Sequence, residues 1–294
     1  MKRWHFLWCG WLALWLVLPA LAAPAYGPLY SFSKQGRVHY LYGTMHVGRP
    51  GTDTPDWGLS QAMARSEALV LELDVDAPGA PAEVLALARQ GAARQWRQLG
   101  PDSRRLLLAQ LQRTGVEPDQ ARSLAPAMWL MQLTLNEYQR LGQATQEGSE
   151  TMLLQMARRE QRPLLALETT GEQGRMLFEM PAAALREWVR QTAEWQDKPE
   201  AERYYRDLIA AWERGDLPAL QSMVVLPGYP RLSAWTQREM LDRRNQAMAR
   251  RIDEMAASRR LLVAVGALHL AGPQGLVKLL RQRGYQVTVA PRAP

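Results

Sequence analysis

The spacing of apolar residues changes several times along the chain, and each change predicts an element. Tyr30 to Phe32 and Val38 to Tyr42 flank Lys34-Gln35-Gly36, the pattern of a hairpin with a short glycine turn. Asp56 to Arg65 places Leu59 and Met63 on one side of a short helix, with Trp57 beside them. Ala68 to Leu73 is a nearly continuous apolar run, as in a strand covered on both faces of a parallel sheet. Pro163 to Leu167 and Arg260 to Val265 read the same way, and Tyr285 to Ala290 ends the series. Leucine and methionine at three- and four-residue spacing predict helices over Ser103 to Gln112, Gln120 to Leu141 and Glu150 to Glu160. Pro126 should start or kink the second of these. Further helices are expected over Glu172 to Met180, Ala182 to Trp195, Ala201 to Arg214, Ser233 to Ala257 and Pro273 to Arg283, the last closed by Gly284.

Two stretches share a frame. VHYLYGTMHVG contains Gly43 and His46, and LLVAVGALHLAG contains Gly266 and His269. Each follows a strand-like run and precedes a helix and a second strand. An internally duplicated core is inferred, each strand ending in a glycine that lets the backbone turn sharply. The expected fold class is α/β: a central mixed, mainly parallel sheet flanked by helices, with a helical insertion packed on it. No Gly/Ser linker or low-complexity tract interrupts residues 24–294, which are expected to form a single domain.

The N-terminus sets the compartment. Lys2 and Arg3 precede an apolar run from Phe6 to Leu18, then Ala20-Leu21-Ala22-Ala23. This reads as a secretory signal peptide over residues 1–23, too short for a membrane span, so a periplasmic or secreted protein with no span after cleavage is expected. The single cysteine, Cys9, lies in that segment, so the mature chain is expected to fold without a disulfide. Cleavage removes two of the 36 basic residues and none of the 29 acidic ones. The arginines are scattered among glutamates along helices, which argues against a nucleic-acid partner.

Candidate chemistry starts with His46 and His269, two of four histidines in the chain. Either alone would be read as structural. Their common frame points to a shared site at the carboxyl edge of the sheet, where open α/β sheets bind ligands. Glu72 ends the ALVLEL run, and a carboxylate in an apolar strand needs a partner. Two imidazoles and a carboxylate can hold a divalent metal, Mn²⁺, Co²⁺, Zn²⁺ or Fe²⁺, with positions left open. Glu168 ends a third strand. Asn245 falls on the apolar stripe of its helix between Leu241 and Met248, and Arg244 borders it, so a polar site beneath that helix is expected. The chain has no Gly-x-Ser-x-Gly elbow, phosphate-binding glycine loop, His-Glu-x-x-His helix or cysteine zinc pair. His39 is expected to point away from His46.

LYGTMHVG, ALVLELD, PLLALETTGEQ, RRNQAMARRI and VAVGALHLAGPQGLVKLLRQRGYQV, in that order, resemble the TraB/PrgY/GumN family, which includes the Tiki proteins. Length and signal peptide look most like the GumN branch. The resemblance implies a fold related to the erythromycin-esterase and ChaN-like proteins. From the Tiki branch it implies a metal-dependent protease using the two Gly-x-x-His motifs and an acid. By position those residues are His46, His269 and Glu72, then Glu168, Arg244 and Asn245. Gly148-Ser149-Glu150 departs from the family pattern, which has an aspartate after the glycine.

The expected function is a periplasmic metal-dependent hydrolase of peptides, with Mn²⁺ or Co²⁺ favoured, held by His46, Glu72 and His269. Glu168 would act as a base or further ligand and Arg244 would steady an oxyanion or a substrate carboxylate. The alternative is a non-catalytic periplasmic protein that binds a peptide or glycan, linked to signalling or exopolysaccharide production.

Overall fold

The computed structural model describes residues 27–49, 55–74 and 77–292. The expected signal peptide lies outside them, as does most of the loop after His46. The strands are β1 (Leu29–Lys34), β2 (Arg37–Thr44), β3 (Ala68–Leu71), β4 (Leu164–Ala166), β5 (Leu261–Gly266) and β6 (Gln286–Val289). They form one six-stranded sheet in the order β4-β3-β5-β2-β1-β6. The pairs β2–β5, β3–β5 and β3–β4 are parallel, and β1 pairs antiparallel with β2 and with β6. The mixed, mainly parallel sheet expected from the sequence is therefore present, with the runs at Val38, Leu69 and Leu261 all in it.

Helices α1 (Trp57–Arg65), α2 (Ala80–Arg113), α3 (Pro118–Arg122), α4 (Pro126–Arg140), α5 (Ser149–Arg159) and α6 (Thr170–Phe178) belong to the first part of the chain. Then follow α7 (Ala182–Trp195), α8 (Pro199–Glu213), α9 (Leu217–Ser222), α10 (Pro230–Trp235), α11 (Arg243–Ala256) and α12 (Leu276–Gln282). Leu69 and Leu71 pack with α1, α5, α8 and α9 on one face of the sheet. Val70, Val263 and Val265 pack with Met248 and Ile252 of α11 and with α12 on the other. The alternation of β3 thus buries both faces, as its unbroken apolar sequence requires. A third cluster joins α2, α3, α4, α6, α7 and α10 and contains no strand residue. No helix among the described residues is long and apolar enough to cross a membrane.

Three differences from the sequence expectations have physical causes. Residues 80–99 form the first half of α2, which breaks at Gly100 (φ 71°). Its buried stripe is Ala88, Gly91, Ala92 and Gln95 ahead of Trp96 and Leu99, too small and polar to read as an amphipathic face. The expected helix Ser233 to Ala257 is divided by a π-helical segment, Thr236–Asp242, between α10 and α11. The turn after β5 is a 3-10 helix, Ala267–Leu270, so α12 starts later than Pro273. Pro126 does start α4, and Thr169 caps α6 in a capping box with Glu172.

Candidate functional site

The site is built at the carboxyl ends of β2 and β5. In their parallel register Gly43 faces Val265 and Thr44 faces Gly266, so the two Gly-x-x-His frames end side by side, one residue out of step. Neither motif glycine has a positive φ, which corrects the expectation of a sharp glycine turn. Close packing explains Gly43 instead. A Cβ there would sit 2.5 Å from Cγ of Pro28 and 3.0 Å from Cα of Ala267, the start of the turn that carries His269. Gly266 presents its N–H to Glu72 Oε1 at 2.7 Å.

β3 stops at Leu71, so Glu72 is not part of its pleated face, but the chain still tracks β4. The backbone N–H of Glu168 donates to the Glu72 carbonyl at 2.8 Å. Two carboxylates thereby emerge side by side, and Arg244 of α11 spans them. Its Nη2 donates to Glu72 Oε2 at 2.5 Å and to Glu168 Oε2 at 2.6 Å, and its Nε reaches Glu168 Oε1 at 2.9 Å. Gln173 Nε2 adds bonds of 2.9 Å to Glu168 and 3.3 Å to Glu72. The π segment just before α11 contributes the Met240 carbonyl, which accepts from Arg244 Nη1 at 3.2 Å. Burial pushes the Glu72 carboxyl up, but His269, Arg244 and His46 together outweigh it and hold its pKa at about 2. Burial likewise opposes the charge of Arg244, and the bonds and charges of the two carboxylates raise its pKa above the ordinary value.

His269 is buried, with its side chain 5 % exposed. Its Nδ1 lies 2.6 Å from Oδ1 of Asn245, whose Nδ2 donates to the Gln274 carbonyl at 2.9 Å. Only the NH₂ of an amide can donate to a carbonyl, so Oδ1 is the acceptor and the His269 proton sits on Nδ1. Burial lowers its pKa to about 4 against the pull of Glu72. At neutral pH its Nε2 therefore carries a lone pair, 3.6 Å from Glu72 Oε1, and makes no hydrogen bond among the described residues.

His46 is held differently. Its side chain is 68 % exposed, and Nδ1 lies 2.5 Å from Oε2 of Glu150 at the start of α5. The other carboxylate oxygen accepts from Thr44 Oγ1 at 2.9 Å. The Glu150 charge raises the His46 pKa to about 9, and Glu72 adds to the rise. His46 is thus within electrostatic reach of Glu72, Arg244 and His269.

The structure ties Glu72, Glu168 and Arg244 together by hydrogen bonds, sets the hydrogen-bonded pair of Asn245 and His269 against Glu72, and leaves His46 beside them, paired to Glu150. No three His, Cys, Asp or Glu side chains among the described residues are grouped as for a bound ion. Gln173 was not singled out from the sequence, and Glu150 was noted only as a departure from the family pattern, with no partner assigned to it. The signals available were the acid after Gly148-Ser149 and a glutamine one turn into the helix after Glu168. His39 serves the core, where it stacks on Phe32 and accepts from the Leu261 N–H at 3.3 Å.

The sequence pattern of the TraB/PrgY/gumN family matches residues 28–289. The chain is 25 % identical over 259 residues to the uncharacterized protein YbaP of Escherichia coli K12, covering 86 % of this chain and 92 % of that protein. The YbaP protein of Shigella flexneri matches with the same identity and coverage. No solved structure gives a significant match.

Proposed function

The chain belongs to the TraB/PrgY/gumN family, and on that premise we propose that it is an exported, periplasmic, metal-dependent hydrolase of peptide bonds. The observation that carries the reading is the facing pair of Glu72 Oε1 and His269 Nε2, 3.6 Å apart. With the His269 proton on Nδ1, both atoms present lone pairs to each other, and a cation between them would relieve that opposition. Two ligands of one divalent ion have donor atoms about 3–4 Å apart, so the pair fits.

In this reading Glu72 and His269 hold the ion, and His46 joins through Nε2 as it sheds its proton, which its exposed ring can release to solvent. Mn²⁺ or Co²⁺ is favoured, with Zn²⁺ or Fe²⁺ as alternatives. The bound ion would polarise a carbonyl and activate water. Glu168, Arg244 and Asn245 act through their neighbours. Both oxygens of Glu168 accept from Arg244, so it anchors the guanidinium. Arg244 ties down Glu72 Oε2 and leaves Oε1 for the ion. Asn245 sets the His269 tautomer.

The test is metal analysis and calorimetric titration of the purified protein with Mn²⁺, Co²⁺ and Zn²⁺, beside peptide-cleavage assays. One ion per chain, lost in His269→Ala and Glu72→Gln, is expected. Binding of a peptide or glycan with no metal would overturn the hydrolase in favour of a non-catalytic binding protein.

A further inference from the structure

The helix start beside His46 is constructed around that residue. Gly48 and Ala144 exchange backbone hydrogen bonds of 3.0 and 2.7 Å, which brings the segment before α5 against the chain after β2. Ser149 Oγ accepts from the Met45 N–H at 2.8 Å, and the Ser149 N–H donates to the Met45 carbonyl at 3.0 Å. At Gly148 a Cβ would lie 2.5 Å from the His46 carbonyl oxygen, so the close approach requires a glycine. These contacts place Glu150 in the first turn of α5, where the helix dipole favours a carboxylate. Thr44, from the strand that delivers His46, then fixes one carboxylate oxygen, and the other faces Nδ1.

We propose that Glu150 is the positioning residue for His46. A carboxylate only accepts, so the bond fixes a proton on Nδ1 and leaves Nε2 as the nitrogen that can bind an ion. His269 has the same arrangement from a different helix, with Asn245 as acceptor. The need is greater at His46. Burial holds the His269 ring on all sides, whereas a ring that is 68 % exposed has little packing to fix its rotamer. The bond to Glu150 supplies that restraint.

The ligand role of Nε2 rests on the proposed metal function, while the restraint on the ring does not, and the experiment separates them. In metal-free protein, the His46 Nδ1–H should give a downfield, solvent-protected proton signal by NMR. That signal should disappear in Glu150→Leu and persist in Glu150→Gln, whose amide oxygen can still accept. Titration with Zn²⁺ should show a loss of affinity of about 10–100-fold in Glu150→Leu, the usual cost of removing such a partner. Thr44→Val, which frees one carboxylate oxygen and leaves the acid in place, should cost less than Glu150→Leu. Circular dichroism and thermal melts establish that each variant is folded. A Glu150→Leu protein that is folded and keeps both the protected proton and its Zn²⁺ affinity overturns the proposal. Wild-type protein that shows the protected proton and binds no metal overturns the hydrolase reading and leaves the restraint on the ring standing.

Discussion

The two Gly-x-x-His frames end neighbouring strands, yet they hold their imidazoles in opposite charge states. His269 is buried, donates Nδ1–H to a neutral amide, and has a pKa lowered to about 4. His46 is exposed, faces a carboxylate, and has a pKa raised to about 9. Strand register decides where each ring is delivered. The surroundings decide its charge: burial keeps the His269 ring neutral while Asn245 of α11 sets its tautomer, and α5 brings Glu150 to His46. The buried ring already has Arg244 near it, and a second buried cation would be costly there. The exposed ring can stay charged because water solvates it.

The largest test of this contrast lies under the buried frame. Arg244→Met leaves Glu72 and Glu168 side by side without their cation. Breaking a buried ionic group by removing one partner costs about 3–5 kcal/mol, and urea unfolding should show a loss of that size. Glu150→Leu breaks the exposed pair and should cost about 0–1 kcal/mol. Equal losses from the two variants would erase the distinction between the frames.

Asn245 offers a finer test. Asn245→Leu strands the buried Nδ1–H of His269 and should cost about 1–3 kcal/mol by the same measurement. Asn245→Asp instead places a carboxylate against Nδ1, as at His46. NMR titration should then find the His269 pKa above its wild-type value of about 4. An unchanged pKa would mean that burial alone sets the charge of this ring.

The strand ends and both histidine frames were legible in the sequence because they rest on local pattern: apolar runs, a glycine, a histidine three residues on. The apolar stripe with Asn245 on it also predicted a polar site under α11, and Asn245 there bonds His269. The partners supplied from a distance were not legible. Glu150 meets His46 across 104 residues, and Gln173 meets Glu72 across 101. Nothing in a helix-forming sequence announces which exposed acid will face which strand end. The π segment at Thr236–Asp242 was equally hidden, since it contains no proline or glycine to mark a break. The roles of the motif glycines were misread for a related reason. What Gly43 makes room for is Pro28 and Ala267, and the latter belongs to the other end of the chain.

Acid should act mainly on the buried frame. Glu72 has a folded pKa of about 2 against an ordinary 4.5, so its contribution is present above pH 4.5 and lost as pH falls through about 2. His269 is kept neutral, with a folded pKa of about 4 against 6.5, so the unfolded chain binds more protons between those values. Stability should therefore decline from about pH 6.5 downward. The wild-type advantage over His269→Gln should shrink over the same range, and an advantage that grew on acidification would contradict a neutral buried ring.

The smallest expected effect is on the exposed frame at alkaline pH, and its sign is opposite. His46 has a folded pKa of about 9 against 6.5, so the folded state binds the extra proton between those values. The stabilisation from its pair with Glu150 is fully present below pH 6.5 and is lost as pH rises through about 9. Exposure limits its size to about 0–1 kcal/mol, as for other solvated ion pairs. Glu150→Gln removes the charge but keeps an acceptor for Nδ1, so it isolates the ionic part. The difference in unfolding free energy between wild type and this variant should be positive at pH 6 and close to zero at pH 10. Such a narrow difference calls for paired urea titrations at each pH, with midpoints compared at equal slope. A difference that is flat across this range would mean that His46 titrates as a free imidazole, and that the two frames differ in burial alone.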